Sequence, residues 1–204
     1  MTDDNVATRA GLRDQLRAAR RELPATARIR AAERLASRLL ALPFAPSGGF
    51  VAGYWAMDGE IGLHAWQVAL PPECHYCLPV LQSDHLKFAP WKPGAPLVTN
   101  RYGIPEPDVE PAELIEASQL AMAVAPLVGF DGSGERLGMG GGWYDRTFAF
   151  RQKLPAPPWL VGAAFALQRV ASLERAVWDV RLDAVCTEDE SLHFSLQDHL
   201  ANTE

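Results

Sequence analysis

The sequence predicts a single α/β domain, in which a mostly parallel central sheet is flanked by helices and an N-terminal helical pair packs on the outside. The chain has 204 residues, of which 48% are hydrophobic and 22% charged, so it is long enough for one substantial core and too apolar for a disordered segment. Short apolar runs alternate with stretches of helical periodicity, which indicates a parallel sheet. A glycine-rich stretch joins one such run to a helix, a placement typical of ligand sites in open α/β sheets. We therefore assign residues 1–204 to one domain.

Two helices are predicted at the N-terminus. Apolar residues at helical spacing indicate helices over residues 6–22 and about 27–42. The first of these helices should end at Leu23, because the residue before a proline avoids helical backbone.

Six apolar runs predict the strands of the sheet. They lie at residues 50–55, 74–81, 86–91, 120–128, 159–165 and 182–187. The second and third runs flank a turn at residues 83–84 and could form a hairpin. Short helices are predicted over residues 66–70, 113–118 and 143–151, and the proline-rich residues 92–110 indicate an extended loop.

Charge is unevenly distributed along the chain. Residues 1–40 contain nine arginines and five acidic residues, a net of +4, whereas residues 41–204 have a net charge of −10. An acidic body argues against a nucleic-acid-binding protein. For the arginine-rich first helix, the residues alone favour a solvated charged face, and we assign Arg17, Arg20 and Arg21 to it.

The cysteines and the hydropathy pattern predict a cytoplasmic protein that does not bind a membrane. We also expect a monomer, and the acidic body predicts that it has no nucleic-acid partner. Three cysteines cannot form a closed disulfide framework. Cys74 and Cys77 lie in a predicted strand with too few neighbouring ligands for a metal site. Residues 1–20 lack the apolar stretch of a signal peptide, and the longest apolar run is far shorter than the ~20 residues of a membrane helix.

Seven of the sixteen glycines lie within residues 129–142, between a predicted strand and a predicted helix. Glycine allows positive φ and exposes backbone N–H groups, so such a loop suits an anionic phosphate. Arg136 adds a guanidinium fork, and Asp145 adds a hard oxygen ligand of the kind that Mg²⁺ uses beside phosphates. The stretch fits neither a Walker loop nor G-x-G-x-x-G. The residues therefore indicate an anion-binding loop, with a flexible connector as the alternative.

Part of this stretch resembles a known family. Residues 136–146 read RLGMGGGWYDR and closely resemble the R-L-G-x-G-x-G-[YW]-Y-D-R signature of 5-formyltetrahydrofolate cyclo-ligases, also called 5,10-methenyltetrahydrofolate synthetases. Further residues match segments of the family's pattern in the same order along the chain. These are Arg9 and Arg13, and residues 54–61, 78–80, 102–107, 126–131 and 182–188. The resemblance covers nearly the whole chain.

The resemblance implies an ATP- and Mg²⁺-dependent enzyme. The family converts 5-formyltetrahydrofolate into 5,10-methenyltetrahydrofolate and releases ADP and phosphate. Phosphorylation turns the formyl oxygen into a leaving group, and the other folate nitrogen then closes the ring. Such chemistry requires positioning and charge neutralisation rather than a nucleophilic side chain. The expected partners are thus 5-formyltetrahydrofolate and ATP, with Mg²⁺ as the cofactor.

The resemblance also implies roles for individual residues. Arg136 and Asp145 would be catalytic, and Asp145 would hold Mg²⁺ with Asp183 as a second carboxylate. The residues expected to bind ATP are Arg9, Arg13, Arg136, Leu137, Gly138, Met139, Gly140, Gly141, Gly142, Trp143 and Tyr144. The residues expected to bind the folate are Trp55, Glu60, Met139, Gly140, Gly141, Gly142 and Trp143. The loop with Tyr102 and Glu106 would flank the site.

Two departures and three alternatives stay open. Arg9 stands where the family usually has lysine, and Trp143 stands where tyrosine is commoner, so affinities could differ. A sugar-phosphate isomerase or acyl-CoA transferase would share the α/β pattern but needs an acid/base carboxylate or a nucleophilic glutamate. A family member could also bind folate or nucleotide without catalysis. RNA binding through the first helix is disfavoured by the acidic body.

Overall fold

The computed structural model describes residues 3–194, which are organised around a seven-stranded sheet. The helices are α1 (Asp3–Arg21), α2 (Ala25–Leu40), α3 (His64–Ala69) and α4 (Trp143–Thr147). The strands are β1 (Gly49–Ala52), β2 (Cys74–Leu81), β3 (Leu86–Pro90), β4 (Leu97–Thr99), β5 (Pro105–Pro107), β6 (Leu120–Pro126), β7 (Gly129–Phe130), β8 (Arg136–Leu137), β9 (Trp159–Ala163), β10 (Ala184–Cys186) and β11 (Ser191–His193). The order in the main sheet is β11-β10-β9-β6-β1-β2-β3.

Five neighbouring strands of the main sheet, from β10 to β2, are parallel. The edge strands β3 and β11 run antiparallel to their neighbours. The predicted mostly parallel α/β sheet is therefore confirmed, as is the hairpin of β2 and β3. Cys74 and Cys77 lie in β2 as free thiols, as predicted. Because parallel strands end at the same edge, the segments that follow β1 and β6 leave the sheet side by side.

The sheet separates two hydrophobic layers, because successive side chains of a strand point to opposite faces. Met122 of β6 points into the layer that also contains Leu35 of α2 and Trp66 of α3. The next residue, Ala123, points into the opposite layer, which contains Phe148 after α4. Helix α1 packs beside the small β7–β8 hairpin in a third, smaller cluster. Both halves of the glycine-rich region are thereby fixed to the core.

The predicted strand over residues 50–55 is too long, because the chain leaves the sheet after Ala52. Gly53 passes close to the buried ring of Tyr76, and a Cβ at position 53 would lie 2.1 Å from the tyrosine oxygen Oη. Its N–H group donates to the Cys77 carbonyl at 3.0 Å, the last such bond on this side of the strand. The chain then leaves the sheet and forms the loop of residues 54–61.

Other differences concern short elements. The predicted helix over residues 113–118 is instead two 3₁₀ turns, Pro111–Glu113 and Ala117–Gln119. The predicted loop over residues 92–110 contains the two-stranded β4–β5 hairpin, whose prolines stand at the ends of β5. Strand β11 was not predicted. Within residues 3–194, no helix combines the length and the apolar character that crossing a bilayer requires.

Replacement of Gly53 by alanine should destabilise the fold. The added Cβ would collide with the Tyr76 ring, which is buried and cannot rotate away, so we expect a loss of about 1–3 kcal/mol in the free energy of unfolding. The measurement is urea denaturation. Gly62→Ala is the control, since a Cβ there would meet no atom of the described residues within 4 Å. Equal stabilities of the two variants would contradict the packing argument.

Candidate active site

The glycine-rich stretch after β6 is an ordered structure, which argues against the flexible connector. Its first part folds back as the β7–β8 hairpin. The buried carboxylate of Asp131 organises the turn, because its Oδ1 accepts hydrogen bonds from the N–H groups of Ser133 and Glu135 at 2.9 and 3.1 Å. Residues beyond the hairpin lead into α4 with φ of +92° at Gly140 and +65° at Gly142, values that favour glycine. The backbone here can approach a ligand closely.

Arg136 and Asp145, the two residues predicted as catalytic, are in direct contact. Arg136 Nη2 donates to Asp145 Oδ1, and Arg136 Nη1 donates to the carbonyl of Val180. The N–H group of Val180 in turn donates to Asp145 Oδ1 at 3.1 Å. The Arg136 side chain is almost buried. This set of bonds therefore fixes the Asp145 carboxylate beside residues 138–142, which we call the glycine loop.

Asp145 also lines an open cleft of about 430 Å³. The other residues that line this cleft are Gly140, Gly141, Gly142, Arg146, Ala149, Gln152 and Trp178. Its volume falls within the roughly 300–1,000 Å³ that is usual for small-molecule sites. Bare backbone, a carboxylate and a guanidinium thus meet around one space, a combination that suits a phosphate with a divalent cation.

Arg13 meets the glycine loop directly. Its Nε donates to the carbonyl of Gly138 at 2.8 Å, and its guanidinium lies 3.7 Å from the position that a Cβ on Gly140 would occupy. Arg9, one turn earlier, donates to the carbonyl of Glu174 at 2.9 Å and lies 4.0 Å from the Asp179 carboxylate. Partial burial, and then the charge of Arg9, lower the pKa of Arg13. An anion between the two guanidiniums would relieve their repulsion.

Asp183, immediately before β10, is not among the residues that line the cleft. Both of its carboxylate oxygens accept hydrogen bonds from Arg151 Nη2, at 2.9 and 3.0 Å, and Oδ2 also accepts the N–H of Leu160 at 2.7 Å. These bonds join β9 to β10. In residues 3–194, no group of three or more His, Cys, Asp or Glu side chains is arranged to hold a metal ion. The pairing of Asp145 with Asp183 as metal ligands therefore stays a prediction.

The loop of residues 54–61, which we call the folate loop, carries the predicted folate-binding residues Trp55 and Glu60. The Glu60 carboxylate is mostly buried and accepts the N–H of Met57 at 2.9 Å. Burial raises the pKa of Glu60, against the opposing effects of that hydrogen bond and of the Arg20 charge. Trp55 contacts Trp91 edge to face, with ring centroids 5.7 Å apart. The loop thus presents one buried carboxylate and an aromatic pair.

Arg20 corrects the prediction that the arginines of α1 after Arg13 form a solvated face. Its side chain is fully buried, and its guanidinium donates to the Asp58 carboxylate and carbonyl at 2.9 Å and to the Leu127 carbonyl at 3.3 Å. Arg17 and Arg21 bind the same carboxylate from the surface. The prediction was wrong because the partner, Asp58, is 38 residues away in the sequence.

Tyr144 lies in α4, which directly follows the glycine loop, and its ring stacks on that of Phe148 with centroids 6.2 Å apart. Burial raises the pKa of the Tyr144 hydroxyl, and the nearby charge of Glu60 raises it further, while Arg136 acts in the opposite direction. The Tyr144 hydroxyl is therefore protonated at neutral pH and able to donate a hydrogen bond.

The remaining predicted residues divide into exposed and buried ones. Met139 is exposed at the tip of the glycine loop, whereas the Leu137 side chain is fully buried, so only its backbone can face a ligand. Trp143 lies between the guanidiniums of Arg101 and Arg146, at 5.3 and 5.0 Å from its ring. These cations were not predicted, because their approach to Trp143 depends on tertiary structure.

Of the two residues predicted to flank the site from the β4–β5 hairpin, one contacts the helix that follows the glycine loop. Tyr102 contacts the ring of Trp143 edge to face, with centroids 6.1 Å apart. Glu106 instead holds the hairpin itself, because its Oε2 accepts hydrogen bonds from Leu81 N–H and from the Asn100 side chain, each at 3.1 Å.

Comparison with known sequences gives extensive similarity. The sequence model of the 5-formyltetrahydrofolate cyclo-ligase family matches residues 5–188. The 5-formyltetrahydrofolate cyclo-ligase of Haemophilus influenzae is 34% identical over 182 residues, which are 87% of this chain and 96% of that protein. The 5-formyltetrahydrofolate cyclo-ligase of Escherichia coli K12 is 33% identical over 180 residues, 84% of this chain and 96% of that protein.

Comparison with solved structures gives the same fold. The 5,10-methenyltetrahydrofolate synthetase of Aquifex aeolicus superimposes with a TM-score of 0.76 and 27% identity, over 91% of this chain and 92% of that chain. A 5,10-methenyltetrahydrofolate synthetase of Mycoplasma pneumoniae superimposes with a TM-score of 0.67 and 21% identity, over 88% and 98% of the two chains. At that identity, the second likeness concerns the fold alone.

Replacement of Arg20 by alanine should cost about 3 kcal/mol or more of unfolding free energy, because it leaves buried acceptors without their partner. Arg21→Ala is the matched control, since Arg21 binds the same carboxylate but its side chain is 53% exposed. We expect the control to lose less than about 1 kcal/mol. Chemical denaturation measures both values, and similar losses would contradict the distinction between the buried and the exposed arginine.

Replacement of Glu60 by glutamine should stabilise the protein at neutral pH. A raised pKa means that the folded protein retains a proton that the unfolded chain releases, so stability from Glu60 is lost as pH rises through the folded pKa. Glutamine stays neutral and avoids this loss. The stability difference between variant and wild type should be small near pH 4 and positive at pH 7.5.

Denaturation at the two pH values tests this expectation. The exposed Glu22→Gln is the control and should show the same difference at both. A Glu60→Gln variant that loses stability relative to wild type as pH rises would reverse the sign and refute the argument.

Proposed function

The chain belongs to the 5-formyltetrahydrofolate cyclo-ligase family, and we propose that it converts 5-formyltetrahydrofolate into 5,10-methenyltetrahydrofolate with consumption of ATP. The observation that supports this most directly is that Arg20 joins two regions, because its buried guanidinium binds Asp58 in the loop of residues 54–61 and the Leu127 carbonyl just before the glycine-rich stretch. On one side lie the glycine loop, Arg13 and the Arg136–Asp145 pair. On the other side lies the loop with the buried carboxylate of Glu60. A phosphate donor and a folate could occupy adjacent positions there.

The proposed reaction consists of two bond changes. The formyl oxygen attacks the terminal phosphorus of ATP, and ADP leaves. The resulting iminium phosphate is attacked at the formyl carbon by the other folate nitrogen, which gives up its proton. The carbon–oxygen bond then breaks, and phosphate leaves and can carry that proton away. Neither change requires a nucleophile from the protein, so the side chains act by positioning the reactants and by neutralising charge.

The phosphate side of the site is cationic although the whole protein is acidic. Arg9 and Arg13 lie one turn apart on α1, and both guanidiniums donate to backbone carbonyls of segments that border the cleft. Arg136 and Arg146 add two further cations around the loop. Repulsion within this group is relieved when a polyphosphate binds, which favours ATP over an uncharged ligand.

Asp145 is the residue that would hold Mg²⁺. Its carboxylate lines the cleft, supplies hard oxygen atoms and is oriented by Arg136 and the Val180 N–H. Mg²⁺ usually takes one or two carboxylates together with substrate phosphates and waters, so a single fixed carboxylate fits this ion. The ion would neutralise charge on the phosphates. Asp183 is a proposed second ligand, which would have to exchange its bonds to Arg151 for the ion.

The folate side of the site offers polar and flat surfaces. Glu60, mostly buried, can accept hydrogen bonds from ring N–H groups of a pterin, and Trp55 with Trp91 forms an aromatic surface for it. The Tyr144 hydroxyl stays protonated and can donate to a folate oxygen. We further propose that the protein acts as a cytoplasmic monomer without nucleic-acid or membrane partners.

The direct test is an absorbance assay. Purified protein with ATP, Mg²⁺ and 5-formyltetrahydrofolate should accumulate methenyl absorbance near the border of the ultraviolet and the visible. Omission of ATP or chelation of Mg²⁺ should abolish the signal. A folded protein that produces no signal under the complete conditions would refute the proposed activity.

Asp145→Asn should lower kcat/KM in this assay by at least about 100-fold, because the neutral amide cannot replace a carboxylate beside a metal and phosphates. Asp84→Asn is the control, because Arg146 contacts only the backbone carbonyl of Asp84. The control should retain activity within about twofold. A folded Asp145→Asn variant with full activity would show that the metal assignment is wrong.

A further inference from the structure

A segment of irregular backbone, residues 174–180, crosses the rim of the cleft, and we call it the strap. Val180, at its end, is bonded to both Arg136 and Asp145. The Gln152 side-chain amide donates to the carbonyls of Val177 and Trp178, at 3.5 and 3.2 Å. The start of the strap is held by Arg9, which donates to the Glu174 carbonyl. The strap backbone is thus attached at both ends and in the middle.

The largest side chain of the strap nevertheless faces solvent. Trp178 is 72% exposed, although tryptophan is on average one of the more buried residue types. It also lines the cleft that contains Asp145 and the glycine loop. Its neighbour Val177 is 90% exposed but does not line the cleft. The strap therefore holds one aromatic ring at a cleft that also contains a carboxylate, a guanidinium and the bare backbone of the glycine loop.

The contents of this cleft indicate a ligand with two chemically different ends. Backbone of the glycine loop, Arg146 and the Asp145 carboxylate suit a polyphosphate with its metal ion. The indole of Trp178 suits a flat aromatic group, because stacking on a π-face needs little specific hydrogen bonding. A nucleoside triphosphate has both ends on one molecule.

We propose that Trp178 stacks against the base of the bound nucleotide and is a determinant of nucleotide affinity. The inference rests on the proposed function, since it takes ATP as the ligand of this cleft. It adds a role for a residue outside the glycine loop and outside α1. Val177, adjacent but not among the residues that line the cleft, should have no such role.

The test separates base contact from phosphate contact. Calorimetry measures binding of Mg-ATP and of Mg-tripolyphosphate, without folate, to wild type, Trp178→Ala, Trp178→Phe and Val177→Ala. We expect Trp178→Ala to weaken ATP binding about tenfold or more and to leave tripolyphosphate binding unchanged. Phenylalanine should restore most of the loss, and Val177→Ala should bind both ligands as wild type does.

Several outcomes would overturn the inference. Equal weakening of ATP and tripolyphosphate binding would assign Trp178 to the phosphates or to the fold, and unchanged ATP binding would remove the contact altogether. A change confined to the KM for 5-formyltetrahydrofolate in the absorbance assay would place Trp178 at the folate instead. If Trp178→Ala does not fold, ATP affinity of Trp178→Leu, which keeps bulk without a π-face, decides the question by the same criteria.

Failure of the inference can be told apart from failure of the proposed function. Wild type that forms the methenyl product while Trp178→Ala binds ATP normally refutes only the inference. Wild type that binds ATP through Trp178 but forms no product refutes only the proposed reaction. Wild type that binds no ATP refutes both.

Discussion

The buried guanidinium of Arg20 is the contact on which the geometry of the site depends. It joins α1 to the turn at Asp58 and to the Leu127 carbonyl just after β6. The folate loop continues from the first of these points and the glycine-rich stretch from the second. A fully buried charge is tolerable here because carboxylate and carbonyl oxygens surround it. One side chain thereby joins the two regions of the proposed site.

The two regions of the proposed site offer different groups to a ligand. The glycine loop offers backbone with almost no side chains, so that a charged group and its metal ion can come close. The opposite side offers Glu60 and the pair of Trp55 with Trp91, which provide shape and direction. Phosphoryl transfer needs charge neutralisation at short range, whereas recognition of a flat heterocycle needs fixed surfaces. The fold supplies each requirement from a different segment.

Local signals explain what the sequence could predict. Apolar runs marked the long strands because their residues are buried on both faces of a parallel sheet, and the glycine cluster marked the loop with Asp145. The burial of Arg20 was hidden, since arginines at helical spacing look the same whether they meet water or a distant carboxylate. Likewise, no local pattern shows that Arg151 binds the Asp183 carboxylate, or that Trp178 lines the cleft. Such facts arise only from tertiary contacts.

The separation of charge along the chain has a kinetic consequence. Arg9 and Arg13 border the proposed phosphate site, whereas residues 41–204 carry a net charge of −10. An anionic substrate is therefore repelled by most of the surface and attracted only towards one small cationic region. Electrostatic attraction thus steers productive encounters to the cleft. Added salt screens the near attraction and the far repulsion over the same Debye length. The association rate should thus depend less steeply on ionic strength than two exposed arginines alone would suggest.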